Sequence, residues 1–210
     1  HGRCVVVSIF VNPLQFGPNE DLAKYPRTLE ADCRKLQAAG ADIVFTPSAE
    51  ELFPTPQQFQ VEPPSIASEL CGAFRPGHFR GVATIVLKLF NIVQPACAVF
   101  GKKDYQQLHI IRGMVREFDL PIQIVSGETR RSEDGLALSS RNGYLSPEER
   151  AEGPRLYRNL VQIREAVTSG RRDFAALEIA AANDLASHGW QVDYISLRNA
   201  DTLQPAQAGD

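Results

Sequence analysis

The run DGLALSSRN (134–142) sets two adjacent hydroxyls, Ser139 and Ser140, and the fixed charge of Arg141 behind a short apolar segment, Leu136 to Leu138. Gly135 precedes that segment and Asn142-Gly143 follows it, so the backbone can bend on both sides. Hydroxyls, exposed backbone N–H groups and a guanidinium fork together bind polyphosphate oxygens. A polar surface loop has the same composition, so the tripeptide alone does not choose. A second run, GKKDYQQ (101–107), supplies a flexible Gly101, the ammonium groups of Lys102 and Lys103, and the Asp104 carboxylate. A cation at Lys103 can neutralise charge building on a transferring or leaving phosphate, the place where such a group is worth most. A third run, VNPLQFGPNED (11–21), carries the neutral amides Asn12 and Gln15. No Ser–His–Asp or Cys–His arrangement is evident, so a covalent enzyme intermediate is not expected.

The elements that must position these runs alternate between strand and helix. Cys4 to Val11 (CVVVSIFV) reads as a parallel strand buried on both faces, ending in Asn12-Pro13. A substrate-facing loop belongs at the carboxyl end of such a strand. Thr28 is placed to cap a helix with apolar positions Leu29, Cys33, Leu36 and Ala39, which Gly40 ends. Ile43 to Phe45 reads as the next strand. Residues 53–65 are irregular, with one short strand expected near Phe59 to Val61. Ala83 to Val93 is apolar on most sides and reads as a buried helix; Ala98 to Phe100 follows as a strand, with GKKD at its carboxyl end. A helix over Gln106 to Phe118 and a strand over Ile122 to Val125 complete a parallel α/β sheet.

The organisation changes after about residue 130. Ser146-Pro147-Glu148-Glu149 starts a helix with a serine cap, proline at the first helical position and glutamate at the third. Helices over Arg155 to Thr168 and Phe174 to His188, then a strand over Val192 to Arg198, make a smaller α+β unit.

Bulk composition narrows the function classes. A chain of 210 residues, 43% hydrophobic and 22% charged, is an ordinary globular composition. A net charge of −3 gives no field for holding nucleic acid. No apolar run approaches the roughly 18–20 residues of a membrane span. The opening HGRCVVVSIFV runs straight into strand-like residues, so no signal peptide is expected. Cys4, Cys33, Cys71 and Cys97 form no CxxC pair, and they are expected as core thiols in a reducing cytoplasm. His1, His78, His109 and His188 show no metal-ligand spacing, and no protein-bound metal is expected.

The three runs, in this order, resemble the pantothenate synthetase family of ATP-dependent ligases, which join pantoate to β-alanine. The resemblance implies a Rossmann-like parallel sheet of the nucleotidyltransferase type over residues 1–129, binding substrate and ATP. A smaller C-terminal α+β domain over 130–210 would close as a lid. It implies that pantoate attacks ATP to give pantoyl adenylate and pyrophosphate, and that the β-alanine amine then gives pantothenate and AMP. Gln15 and Gln107 match the glutamines that bind pantoate. Asn12, Tyr25 and Arg75 match positions at the pocket, and His78, in FRPGHFRGV, is read as a local hydrogen-bonding residue. Gly101, Lys102, Lys103, Asp104, Arg130, Leu138, Ser139, Ser140 and Arg141 match the ATP site, with Lys103 and Arg141 assigned to catalysis. Lys102 stands where the family commonly has glutamate, and Arg130 where it carries an aliphatic residue whose backbone meets the adenine. Magnesium is implied as a companion of ATP, held largely by water and phosphate. A cytoplasmic homodimer is implied, with no nucleic-acid or membrane partner.

One departure bears on activity. The family carries a His-x-Gly-His element in its first βα turn, upstream of the strand matching Val5 to Phe10, and His1-Gly2 is too close to that strand to supply it. The expectation is therefore a further βα unit upstream and a short extension beyond Asp210, without which these residues would be unstable and inactive. Two other classes fit the residues. A related adenylyl-transferring enzyme would share the fold and the phosphate loop, and an inactive fragment or binding module would fit the missing histidines.

Overall fold

In the computed structural model, residues 4–209 are described, and the chain divides into two compact units, one ending at Gly127 and the other starting at Glu128. His1 and Gly2 lie outside the described residues.

The first unit begins with β1 (Val6–Ser8), which pairs in parallel with β2 (Ile43–Phe45) in the register Val6 to Ile43 and Ser8 to Phe45. The strand expected over Cys4 to Val11 is thus shorter. Its partner offers only three residues, and after Ile9 donates to the Phe45 carbonyl the chain leaves the ladder. The ends are also wetter than expected: Val5 is 44% exposed, Cys4 is exposed, and the other three cysteines are only partly covered. All four thiols are free, but none is a core residue.

Between these strands runs α1 (Leu29–Ala38). Gly40, at φ +80°, ends it in a Schellman turn, with Ala41 N–H donating to the Leu36 carbonyl at 3.0 Å. Thr28 does not cap the backbone; its hydroxyl donates to the Asp32 carboxylate at 3.0 Å. Short helices α2 (Ala49–Leu52) and α3 (Cys71–Phe74) flank an irregular excursion. The strand expected near Phe59 to Val61 is absent, because the Val61 N–H donates to the Thr84 hydroxyl rather than to a neighbouring strand.

That hydroxyl sits on α4 (His78–Val93), the centre of the unit, which starts five residues before the expected Ala83. Val82, Ala83, Ile85, Val86 and Phe90 of α4 join Leu52, Ile111, Met114 and Val115 in the main core. Burying each large apolar side chain contributes about 1.5–3 kcal/mol, so this helix organises everything around it. After it come β3 (Cys97–Gly101), the 3₁₀ turn Lys102–Asp104, α5 (Tyr105–Glu117) and β4 (Gln123–Gly127). β3 and β4 pair in parallel from Cys97–Gln123 to Gly101–Gly127.

The second unit opens with a hairpin, then α6 (Pro147–Glu152), α7 (Arg155–Thr168) and α8 (Phe174–Ser187). Ser146 and Glu149 close a reciprocal capping box on α6, as the spacing predicts. Ile163, Leu177 and Ala181 form a small core that Ile195 and Leu197 cover. The strand expected over Val192 to Arg198 does not form; the segment makes one bridge, Arg198 to Pro205. The Leu197 N–H goes to Glu178 of α8 at 2.5 Å, so a helix side chain takes a bond that a strand would have used.

Candidate active site

In the first unit, the corner after β1 is built around a buried amide. Asn12 is 3% exposed. Its Oδ1 accepts from Leu14 N–H at 3.3 Å and starts the 3₁₀ turn Pro13–Gln15. Its Nδ2 donates to Gln15 Oε1 and to the Gly81 carbonyl, both at 3.1 Å. The turn can lie this close to α4 because position 81 has no side chain: a Cβ there would sit 2.2 Å from the Leu14 carbonyl oxygen.

His78, at the start of α4, ties the same turn from the other side. Its Nδ1 lies 2.9 Å from the Gln15 carbonyl oxygen, an acceptor only, so Nδ1 carries the proton. Nε2 then accepts from Arg75 Nη1 at 3.2 Å. Burial holds His78 below its ordinary pKa, and the Arg75 charge adds to this against the Gln15 hydrogen bond and the nearby carboxylates of Glu20 and Asp104. The ring is a neutral hydrogen-bonding link, as the sequence reading has it. Arg75 is spent on Glu20: its Nε lies 3.1 Å from both carboxylate oxygens, and Nη2 closes the pair. Burial acts to raise the Glu20 pKa, but the Arg75 and Gly17 hydrogen bonds outweigh it and leave it lowered. Tyr25 reaches this corner through an edge-on contact with Phe16, ring centroids 5.9 Å apart. A cavity of about 200 Å³ opens here, lined by Gln15, Gln60, His78, Arg80, Gly81 and Thr84.

At the carboxyl end of β3, Gly101, Lys102, Lys103 and Asp104 are exposed. Lys103 Nζ stands 3.6 Å from Asp104 Oδ1. Of the two glutamines that follow, Gln106 is the buried one. It donates to the Ile66 and Glu69 carbonyls at 2.8 and 2.9 Å and accepts from Cys71 N–H at 3.2 Å. It holds the chain that leads to Arg75. Gln107 is half-buried, and its amide has no hydrogen bond among the described residues, so it keeps its full capacity for a ligand. Neither Gln107 nor Lys103 bonds to the Asn12–His78 network within the described residues.

Sequence reasoning missed Glu20, Gln106 and Gly81. Gln106 had a signal, since it stands four and eight residues before the buried Ile110 and Met114, on the core face of α5. Glu20 and Gly81 had none, because the contact that gives each its place in the corner is with a residue more than 50 positions away.

In the second unit, Arg131 bridges Ala137, and Leu138 N–H donates to the Arg130 carbonyl at 2.9 Å. The side chains of Arg130 and of Leu138, which is 57% exposed, are open to solvent. Ser139 Oγ accepts from Arg141 N–H at 3.3 Å and so starts the 3₁₀ turn Ser140–Tyr144. Ser140 and Arg141 are exposed on that turn. Among the described residues, no cluster of three or more His, Cys, Asp or Glu gathers as a metal site. No helix there is long and apolar enough to cross a membrane.

This is an α/β protein of the nucleotidyltransferase type, with 47% identity and a TM-score of 0.93 to a pantothenate synthetase from Thermus thermophilus. That alignment covers 98% of this chain and 75% of the other. The pantoate-beta-alanine ligase family matches residues 1–210, and the chain belongs to that family. Pantothenate synthetase of Chromobacterium violaceum is 65% identical over 207 residues, which are 98% of this chain and 75% of the relative. A pantoate-beta-alanine ligase from Francisella tularensis, solved with β,γ-ATP and β-alanine, aligns at 37% identity and a TM-score of 0.82 over 93% of this chain and 72% of that one.

Proposed function

We propose that the chain condenses pantoate with β-alanine at the expense of ATP. The observation that carries this is the family match along all 210 residues. The pantoate carboxylate attacks the α-phosphorus of ATP, releasing pyrophosphate and leaving pantoyl adenylate. The β-alanine amine then attacks the acyl carbon, expels AMP and gives up a proton as the amide of pantothenate forms.

The residues suit these roles. Gln15 and Gln107 orient pantoate. Gln15 Oε1 is already held by Asn12, so its amide nitrogen is the group left to donate. A free arginine on the attacking carboxylate would stabilise the ground state more than the transition state. Arg75 avoids that cost, because Glu20 already neutralises it. Tyr25 and Asn12 shape the same corner. Lys103 stabilises charge on the phosphates, and Gly101, Lys102 and Asp104 form the lip that carries it. Ser139, Ser140 and Arg141 bind phosphate oxygens, with Leu138 and the Arg130 backbone beside the adenine. Magnesium accompanies the triphosphate, held by phosphate and water oxygens rather than by a protein cage. The working form is a cytoplasmic homodimer.

Pyrophosphate release in the presence of ATP decides between readings. Release that needs pantoate, followed by pantothenate formation on adding β-alanine, is expected. Release with another acid but not with pantoate would assign the chain to a different adenylyl transfer, and no release with any acid would leave it a binding module.

A further inference from the structure

The hairpin that leads into Ser139 is braced more heavily than a solvent-facing turn requires. Ser132 N–H donates to the Leu136 carbonyl and Gly135 N–H to the Ser132 carbonyl, both at 2.9 Å, with Gly135 at φ +101°. This is a three-residue loop closed by a left-handed glycine. Asp134 Oδ1 accepts from the Ser132 hydroxyl at 2.6 Å and from Leu136 N–H at 3.3 Å. Asp134 Oδ2 takes Arg150 Nη1 of α6 at 2.6 Å. On the other side, Arg131 Nη1 donates to the Gly135 carbonyl at 3.1 Å, and its guanidinium lies 3.7 Å from the centre of the Tyr157 ring on α7. The glycine touches the same ring, since a Cβ at position 135 would come within 2.7 Å of it. The outgoing arm is then held by Leu138 N–H on the Arg130 carbonyl and by Asn142 Nδ2 on the Ala137 carbonyl at 3.0 Å. A continuous set of contacts therefore connects the Tyr157 ring to the turn that presents Ser139, Ser140 and Arg141.

We propose that Arg131 and Tyr157 are positioning residues for the nucleotide triphosphate: the guanidinium, seated on the ring and bonded to the Gly135 carbonyl, fixes the arm that presents the two hydroxyls and Arg141. This rests on the reading of Ser139–Arg141 as the phosphate-binding segment. Pre-organisation matters because a loop that must be ordered on binding subtracts that cost from affinity. The aromatic face supplies the anchor: a stacked arginine on tyrosine holds its plane in a way a solvated one does not.

The test is calorimetric titration of the full chain with the non-hydrolysable β,γ-methylene analogue of ATP, alongside the KM for pantoate. Tyr157→Leu and Arg131→Met are expected to weaken the analogue by about tenfold. Tyr157→Phe, which keeps the ring, should restore affinity to within about twofold, and none of the three should move the pantoate KM. Should Tyr157→Leu fail to fold by circular dichroism, Arg131→Met carries the test, and Asp134→Asn probes the brace on the other side of the same turn. It removes only an exposed ion pair and is expected to weaken the analogue by about threefold with an unchanged melting point. Variants that bind the analogue as the parent does, or that raise the pantoate KM in step, overturn the proposal while leaving the ligase reading standing. A parent chain that binds no analogue at all overturns both.

Discussion

The Asn12–His78 corner and the Ser132–Asn142 hairpin both fix polar groups in place, and they do so by opposite means. In the corner, short bonds shape the Asn12–Gln15 turn, but the bonds that tie its segments together span long stretches of chain: Asn12 to Gly81 is 69 residues, His78 to Gln15 is 63, and Arg75 to Glu20 is 55. In the hairpin, the bonds that set the backbone run between residues no more than eight apart, and Arg150 and Tyr157 reach in from beyond. The corner is half-buried to buried and most of its polar groups are spent on one another, whereas the hairpin ends in the half-buried Ser139 and the exposed Ser140 and Arg141. On the proposed assignment, the small acid is read through a few directed bonds, which suit a rigid and partly desolvated wall. A polyphosphate offers many equivalent oxygens, and a wet, locally folded turn is sufficient to meet them.

Lys103 belongs to neither scaffold, and its replacement should show the largest effect. Lys103→Ala removes a cation from developing phosphate charge, so adenylate formation should fall by roughly 10²–10³, about 3–4 kcal/mol. Its melting temperature should stay put, because its ion pair with Asp104 is exposed and the turn is held by backbone. Near-full pantoate-dependent pyrophosphate release in that variant would remove Lys103 from the chemistry.

Gly81→Ala strikes the long-range corner. Alanine favours helix over glycine by about 1 kcal/mol, which argues for stabilisation. The new Cβ would lie 2.2 Å from a backbone oxygen, and relieving that overlap should cost about 1–3 kcal/mol or more. The net expectation is a lower melting temperature and weakened use of pantoate with ATP affinity preserved. A stabilised Gly81→Ala protein would mean that the turn and α4 are not in contact.

Ser139→Ala tests the local scaffold. It removes the hydroxyl that accepts from Arg141 N–H, a cap whose loss costs about 1 kcal/mol. ATP affinity should drop severalfold while pantoate use is unchanged. The mirror-image result, with pantoate use lost and ATP unaffected, would invert the assignment of the two regions.

Acid should loosen the corner before the hairpin, and this is the smallest effect. His78 is held below its ordinary 6.5 by burial, so between its folded value and 6.5 the unfolded chain binds more protons. Stability from the neutral ring is complete above pH 6.5 and is lost as pH falls through the folded value. Glu20, whose value lies below its ordinary 4.5 because Arg75 and Gly17 outweigh burial, adds a second loss of the same sign at lower pH. Melting temperatures measured from pH 7.5 down to 5 should decline, and His78→Gln should flatten that decline. A wild-type curve that does not decline over that range would show that the ring is not held neutral.

What could be read from residues alone follows the same division. The capping box on α6, the Schellman end of α1, the span Arg155–Thr168 and the positions of β2, β3 and β4 were all written in neighbours three to six residues apart. The three chemistry-bearing runs were likewise visible as strings, and the family they resemble matches residues 1–210. Where a segment's bonding partner is distant, pattern failed. Val61 and Leu197 read as strand residues, yet Thr84 and Glu178 take their N–H groups. Gln106 and Gln107 are the same side chain one position apart, and only the packing of α5 buries the first and leaves the second available. Sequence by itself determined the local turns, the helix ends and the identity of the polar groups, because those depend on a residue's own dihedral preferences and its near neighbours. Tertiary structure alone decided that Arg75 is neutralised, that His78 is uncharged and that position 81 must lack a side chain. Each of these is a contact between segments that only the folded core brings within bonding distance.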